Sequence, residues 1–149
     1  MATSDSWMGI VGAWACSAVF VAISGCGSGK GRPPVYATEG KLSIGGKTPA
    51  GAWIVLHRTD EKQPFALKPF GKVGGDGSFS LQTFTAGDGA PAGSYAVTVT
   101  WPGPPSKNDP DAVEGPDQLR GKYADPKKPA AEISIHPEKN HLGEISLKP

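Results

Sequence analysis

The sequence predicts an all-β protein, an antiparallel β-sandwich of about seven strands. Glycine and proline, at 21 and 15 residues, supply about a quarter of the 149-residue chain, roughly twice their average share. Long helices are therefore excluded, because proline removes a backbone donor and glycine loses conformational entropy when it is ordered. Short segments that alternate apolar and polar residues lie between clusters of turn residues. Such a series is typical of a two-layer sandwich.

Seven segments carry the strand pattern within a domain expected at residues 35–149. They are Val35–Ile44, Ala52–His57, Phe65–Val73, Ser78–Phe84, Ser94–Trp101, Glu132–Ile135 and Leu142–Leu147. The second has the most compact run of β-branched and aromatic residues, so it is the best candidate for a central strand with Trp53 in the core. Asp76-Gly77 favours a hairpin turn, and the last two strands are expected to pair around the turn His136–His141.

Residues 102–129 contain seven prolines and few apolar residues, so we expect a long, stiff loop there. Binding surfaces on a rigid sandwich most often lie on its loops, which makes this loop a first place to look for function. Its acidic residues offer oxygen ligands of the kind that calcium prefers, but prolines interrupt the spacing of a calcium loop and favour a solvated segment. The residues in question are Asn108, Asp109, Asp111, Glu114 and Asp117.

The N-terminal region reads as a targeting signal. Residues 8–23 are uncharged, a run shorter than the roughly 20 apolar residues of a membrane span but suited to the apolar core of a signal peptide. Ile23, Ser24 and Gly25 come directly before Cys26. This order resembles the lipobox of bacterial lipoproteins, in which the cysteine is acylated and becomes the first residue after cleavage.

The lipobox resemblance implies a signal peptide at residues 1–25 and a lipid anchor on Cys26. Residues 26–34 are rich in glycine, serine and proline, as in a flexible tether. The resemblance also implies a bacterial envelope location. By analogy with the enterobacterial sorting rule, Gly27 in place of aspartate favours the outer membrane, facing the periplasm or the surface. An uncleaved N-terminal anchor is the alternative.

Three blocks within the domain resemble carboxypeptidase regulatory-like domains, and they keep that family's order. They are Gly40–Val55, Gly74–Leu81 and Pro91–Val99. With the lipobox, the chain is similar to small lipoproteins of planctomycete bacteria. The resemblance implies a transthyretin-like or Ig-like sandwich that serves as a non-catalytic accessory or binding module. The residues fit it on physical grounds: Gly51 and Gly93 permit turn conformations before strands, and Tyr95 can bury its ring while its hydroxyl reaches the backbone.

Composition and motif spacing argue against several kinds of chemistry. The net charge is +1 and both signs are scattered, so no nucleic-acid partner is predicted. Cys16 and Cys26 both lie near the N-terminus, which excludes a disulfide scaffold and a cysteine-ligated zinc site. His136 and His141 flank a turn without an evident third ligand and are expected to be surface residues. We predict no metal, no cofactor and no catalytic group.

The sequence therefore predicts a non-enzymatic envelope lipoprotein. Its partners are membrane lipid, through acylated Cys26, and a protein or glycan bound by the sandwich. One alternative is a carbohydrate-binding module that stacks sugars on exposed Trp101 and Tyr123. A less favoured one is a small hydrolase, which would need His57 joined with a serine and an acid in a concave site.

The lipobox interpretation predicts the behaviour of a Cys26→Ser variant. The serine hydroxyl does not replace the thiol that receives the diacylglycerol, so we expect no acylation and accumulation of the full-length precursor. Mass spectrometry and membrane fractionation measure both. Normal processing of this variant would contradict the lipoprotein interpretation.

Overall fold

A computed structural model describes residues 31–60, 66–107 and 113–149. The signal peptide and most of the tether predicted above, including Cys26, lie outside these residues. Seven strands occur in the described part, as follows: β1 (Thr38–Ile44), β2 (Trp53–Arg58), β3 (Phe70–Lys72), β4 (Ser78–Ser80), β5 (Gly93–Thr100), β6 (Ala131–Ile135) and β7 (Asn140–Leu147). The same part of the chain contains no helix long and apolar enough to cross a membrane.

The strands form two sheets, which confirms the predicted β-sandwich. One sheet has the order β4-β1-β7 and the other the order β3-β2-β5-β6. Apolar side chains of both sheets share one buried cluster, with the largest contributions from Leu42, Ile54, Leu56, Phe79, Leu81, Tyr95, Val97 and Val99. β2 lies inside its sheet, as expected from its composition. All strand pairs are antiparallel except β1 and β7, which run parallel.

The expected pairing of the last two strands is wrong. β6 pairs with β5, whereas β7 crosses to the other sheet and pairs with β1. The buried Asn140 side chain holds this crossing turn: its Oδ1 accepts the His136 N–H (2.9 Å), and its Nδ2 donates to the His136 and Glu138 carbonyls (3.0 and 2.6 Å). Alternation within a strand sets which face is buried but not which sheet supplies its partner.

The turn at Asp76-Gly77 also joins the two sheets and does not close a two-stranded hairpin. Gly77 has the positive φ that the sequence predicted (82°), and the Gly74 N–H donates to the Ser78 carbonyl (2.8 Å). β3 and β4 nevertheless belong to different sheets. Beyond β4, Phe70 and Gln82 exchange two backbone hydrogen bonds (2.9 and 2.8 Å), and this bridge links the sheets at one corner.

β5 is the most deeply buried strand. Tyr95 is 1 % exposed and its hydroxyl donates to the Pro91 carbonyl oxygen (2.8 Å), which confirms the expected role of this residue. Ala96 and Thr98, on the opposite face, are buried as well. β5 therefore has both faces buried over most of its length, although alternating strands usually expose one face to water. It lies in the interior of its sheet, between β2 and β6.

Gly89 is required where the chain runs close to the backbone of Tyr36, just ahead of β1. Tyr36 and Ala90 exchange backbone hydrogen bonds (2.9 and 3.1 Å), and Gly89, at a φ of 93°, sits so close that a Cβ would overlap the Tyr36 carbonyl. Asp88 orders the preceding turn by accepting the N–H groups of residues 83, 84 and 85. Partial burial acts to raise the pKa of this carboxyl, but the three donors outweigh it and the pKa lies below its usual value.

We expect Gly89→Ala to lower the free energy of unfolding by at least about 2 kcal/mol, because left-handed strain and steric overlap add. Gly87→Ala is the matched control: it also has a positive φ (74°) but nothing within 4 Å of its Cβ position, so only the strain of about 1 kcal/mol remains. Chemical denaturation measures both variants. Equal losses would show that the approach to Tyr36 is not a constraint.

Candidate functional site

The outer face of the three-stranded sheet carries polar side chains in two rows. In the first row, Glu39 of β1 lies in register with Ser80 of β4 on one side and His141 of β7 on the other. In the second row, Lys41 lies in the same way between Ser78 and Glu144. We call these six residues the polar sheet face.

A β-bulge in β7 shapes the polar sheet face. The pairing with β1 shifts between Glu39 and Lys41, so that two residues of β7 oppose Gly40, and Gly143 in the bulge has a φ of 67°. The Phe79 ring lies across Gly40, where a Cβ would meet it at 2.8 Å. The bulge and the two glycines leave an open cavity of about 510 Å³. Gly40, Gly143 and Phe79 line it together with the six residues of the polar sheet face. Bulges commonly re-aim side chains next to binding sites.

Charges of both signs meet on this surface. The Glu39 carboxylate lies 2.8 Å from His141 Nδ1 and 3.3 Å from Lys139 Nζ. All three side chains are substantially exposed, so the Glu39–Lys139 ion pair and the Glu39–His141 contact add little to stability. The polar sheet face therefore presents these charges to solvent and to any partner that approaches the sheet.

The order of groups in the first row does not suit a hydrolytic triad. In a triad the imidazole lies between nucleophile and carboxylate, within hydrogen-bond reach of both. Here the carboxylate of Glu39 is the middle group, and His141 and Ser80 lie two strand spacings apart, about 10 Å. The arrangement provides donors and acceptors for binding.

The two aromatic residues singled out from the sequence are half-buried and pack against the core. Trp101 Nε1 donates to the Ala50 carbonyl (3.2 Å), and the Tyr123 hydroxyl donates to the Lys148 carbonyl (2.9 Å). Trp101 lines a second cavity of about 300 Å³, whereas Tyr123 is not among its lining residues. The structure places both residues at the end of the sandwich where β1 and β7 finish but does not bring them together in one cavity.

Trp53 lies outside the core, contrary to the sequence expectation. In β2 it is Ile54 and Leu56 that face inward and are fully buried, so Trp53 falls on the outer face. Its Nε1 donates to the Glu114 carboxylate (3.1 and 3.3 Å) and Lys72 Nζ lies 4.7 Å from the ring centroid. The Trp53 hydrogen bond, followed by that of Lys72, lowers the pKa of the Glu114 carboxyl.

His57, the residue on which a hydrolase would depend, also lies on the outer face of the four-stranded sheet. Its Nε2 is 2.9 Å from the Thr98 hydroxyl. Burial, followed by the nearby Lys68 ammonium, lowers the pKa of the ring. The carboxylate nearest in sequence, Asp60, makes two hydrogen bonds to Arg58 (2.8 and 2.9 Å). The described contacts of His57 are thus those of a structural histidine.

Residues 108–112 of the acidic segment lie outside the described residues, and the rest of the segment has structural roles. Asp117 accepts the N–H groups of Trp101 (2.8 Å), Leu119 (3.0 Å) and Gly121 (2.8 Å). Partial burial acts to raise the pKa of this carboxyl, but the three donors outweigh it and the pKa is lowered. Within the described ranges no group of three or more histidine, cysteine and acidic side chains could hold a metal ion.

Of the residues on the polar sheet face, His141 alone stands out in the sequence, as one of two histidines that flank a turn. In the structure it lies against Glu39 rather than against His136. The alternation of Glu39, Lys41 and the serines of β4 was visible as a solvent-facing pattern. These side chains come together only because β1 pairs with β7, and the two strands are about a hundred residues apart in the chain. No local sequence pattern predicts that pairing.

Asp117→Asn tests the role of this carboxylate in holding Trp101 and Leu119. At neutral pH we expect a loss of about 1–2 kcal/mol, because the amide nitrogen cannot accept an N–H. The pKa of Asp117 in the folded protein lies below the unfolded value of about 3.9. The carboxylate therefore contributes its full stabilisation to the free energy of unfolding above about pH 3.9, and this contribution is lost as the pH falls through the folded pKa. Asp125→Asn, which affects one exposed N–H contact (2.8 Å), is the control. Denaturation curves across acid pH measure both, and a pH-independent loss in Asp117→Asn would contradict this account.

Comparison with known proteins yields no relative that could add to this description. No family model, no curated protein and no solved structure matches the chain. The fold therefore rests on the geometry above, and the function rests on the chemistry of the surfaces.

Proposed function

We propose that this protein is a non-enzymatic lipoprotein of the bacterial cell envelope that binds a polypeptide partner on the polar sheet face. One observation carries the binding role: a bulged, open sheet face collects opposite charges around a cavity of about 510 Å³. The lipobox at Ile23–Cys26 supports the anchor. The carboxypeptidase regulatory-like pattern is consistent with an accessory role, and it remains a resemblance.

The charge pattern favours a polypeptide over a neutral glycan. Glu39 and Glu144 alternate with Lys41 and Lys139 across neighbouring strands. Alternating charges confer specificity when the partner carries the complementary pattern, and mismatched charges are rejected. A polypeptide supplies both signs at defined spacing, which a neutral sugar polymer does not.

The polar sheet face begins close to the point where the described chain enters the sandwich. The chain enters the sandwich ahead of β1, where Tyr36 bridges to Ala90. The polar sheet face extends along the side of the sandwich from there, across three strands.

Charge reversal tests the binding surface. The acylated protein is purified from detergent-solubilised membranes, and its captured partners are identified by crosslinking and mass spectrometry. Glu144→Lys reverses a charge on the polar sheet face, and we expect it to lose the partner bound by wild type. Glu132→Lys makes the same change at an exposed position of β6 on the other sheet, and we expect it to retain that partner.

Two results would contradict the proposal. Equal capture by both variants would show that the partner binds elsewhere, and the absence of a specific partner for wild type would favour a purely structural role. The anchor is tested separately, because Cys16→Ser should be processed normally where Cys26→Ser is not. Failure of one test leaves the other interpretable.

A further inference from the structure

The outer edge of β7 is an unpaired side of the three-stranded sheet. In the order β4-β1-β7 this strand has β1 on one side, and no strand in the described part of the chain pairs with its other side. β7 is eight residues long, whereas β4, at the opposite edge of the sheet, has three. An open strand edge offers backbone N–H and C=O groups to an added strand. We call this side of the strand the β7 edge.

The hydrogen bonds to the β1 side identify the backbone groups that point toward the β7 edge. The Leu147 carbonyl accepts the N–H of Gly45, directly after β1 (2.8 Å), so the backbone of Leu147 faces β1. Consecutive residues of a strand direct their backbone groups to opposite sides. The N–H and C=O groups of Ser146 and Glu144 therefore face the β7 edge. Both residues follow the bulge, where the register with β1 is regular.

The inner side of β7 determines which side chains an added strand needs. Leu142 and Ile145 pack against the core cluster and are only partly buried. A strand added to the β7 edge would place every second side chain beside them, and apolar side chains there would remove this surface from water. The Tyr123 hydroxyl donates to the Lys148 carbonyl (2.9 Å), so the open segment ends at that point.

The outer side of β7 carries the negative charge of Glu144. This residue is exposed and lies in register with Lys41 of β1. Among the described residues, none of the ion pairs includes its carboxylate. In a strand added to the β7 edge, a cationic side chain opposite Glu144 would complement this charge, whereas a carboxylate there would be repelled.

We propose that the partner of the polar sheet face binds through an extended segment that adds a strand to the β7 edge. This inference rests on the proposed polypeptide partner and states how it is held. Backbone hydrogen bonds to Glu144 and Ser146 attach the segment. Its apolar side chains, at alternate positions, cover Leu142 and Ile145, and a lysine or arginine on its opposite face lies beside Glu144. The added strand thereby widens the polar sheet face by one strand.

Two serine-to-proline variants test the backbone hydrogen bonds. Ser146→Pro removes an N–H from the β7 edge and leaves the ladder with β1 in place, because proline is tolerated on an edge strand where its nitrogen faces solvent. Ser134→Pro is the matched control on β6, the edge strand of the other sheet. Ser134 pairs with Ser94, whose carbonyl is directed away from β6 toward the Thr59 N–H (3.0 Å), so the Ser134 N–H also points outward. Denaturation curves establish that both variants fold.

The probe is a capped synthetic peptide in which valine alternates with threonine and one central threonine is replaced by lysine. Its binding to the full-length protein in detergent is measured by calorimetry. We expect Ser134→Pro to bind the peptide as wild type does and Ser146→Pro to bind it about tenfold more weakly. A peptide with glutamate in place of the lysine should bind wild type about threefold to fivefold more weakly. Hydrogen exchange of the Glu144 and Ser146 amides should slow when the peptide binds.

The exchange measurement on wild type keeps the proposal falsifiable if Ser146→Pro is unstable. Strand addition is overturned if the lysine peptide does not bind wild type, if Ser146→Pro binds it as tightly as Ser134→Pro, or if the two amides exchange at an unchanged rate. It is also overturned if wild type forms a dimer that Ser146→Pro abolishes and that the peptide does not dissociate, because a second copy would then occupy the β7 edge. In each case, partner capture that is lost in Glu144→Lys would still support the proposed function.

Discussion

The parallel pairing of β1 with β7 is the constraint on which the rest of the structure depends. It joins the first and last strands of the domain in the smaller sheet and forces β7 to leave its sequence neighbour β6. The bulge within this pairing accommodates Gly143 and opens the polar sheet face. The same pairing brings Ile44 and Leu147 side by side, so that Pro149 reaches the cavity beside Trp101. The polar sheet face and this cavity are therefore both consequences of one long-range ladder.

Side-chain acceptors for backbone N–H groups stabilise the connections between strands. Asp88, Asp117 and Asn140 each bind several backbone groups of a turn, which compensates for the ladder hydrogen bonds that turns lack. This explains how a chain rich in glycine and proline maintains ordered loops. It also explains why Asp117, a candidate calcium ligand in the sequence, has a structural role: its oxygens already accept three backbone N–H groups.

The polar sheet face and the cavity beside Trp101 differ in their chemistry. The polar sheet face combines both signs of charge on exposed strands, which favours selectivity for a matching pattern over high affinity. The cavity beside Trp101 is smaller, and its lining is apolar or neutral apart from Lys47. Charge patterning therefore distinguishes the polar sheet face as the candidate binding surface.

By itself, the sequence determined the sandwich, the positions of most strands, the roles of Gly77 and Tyr95, and the central place of β2. These follow from local rules: alternation, turn chemistry and the conformations open to glycine. Only the tertiary structure decided that β7 pairs with β1, that Trp53 lies outside the core, and that Glu39 meets His141. Each of these depends on register and sheet membership between segments distant in the chain, and local periodicity carries no information about either.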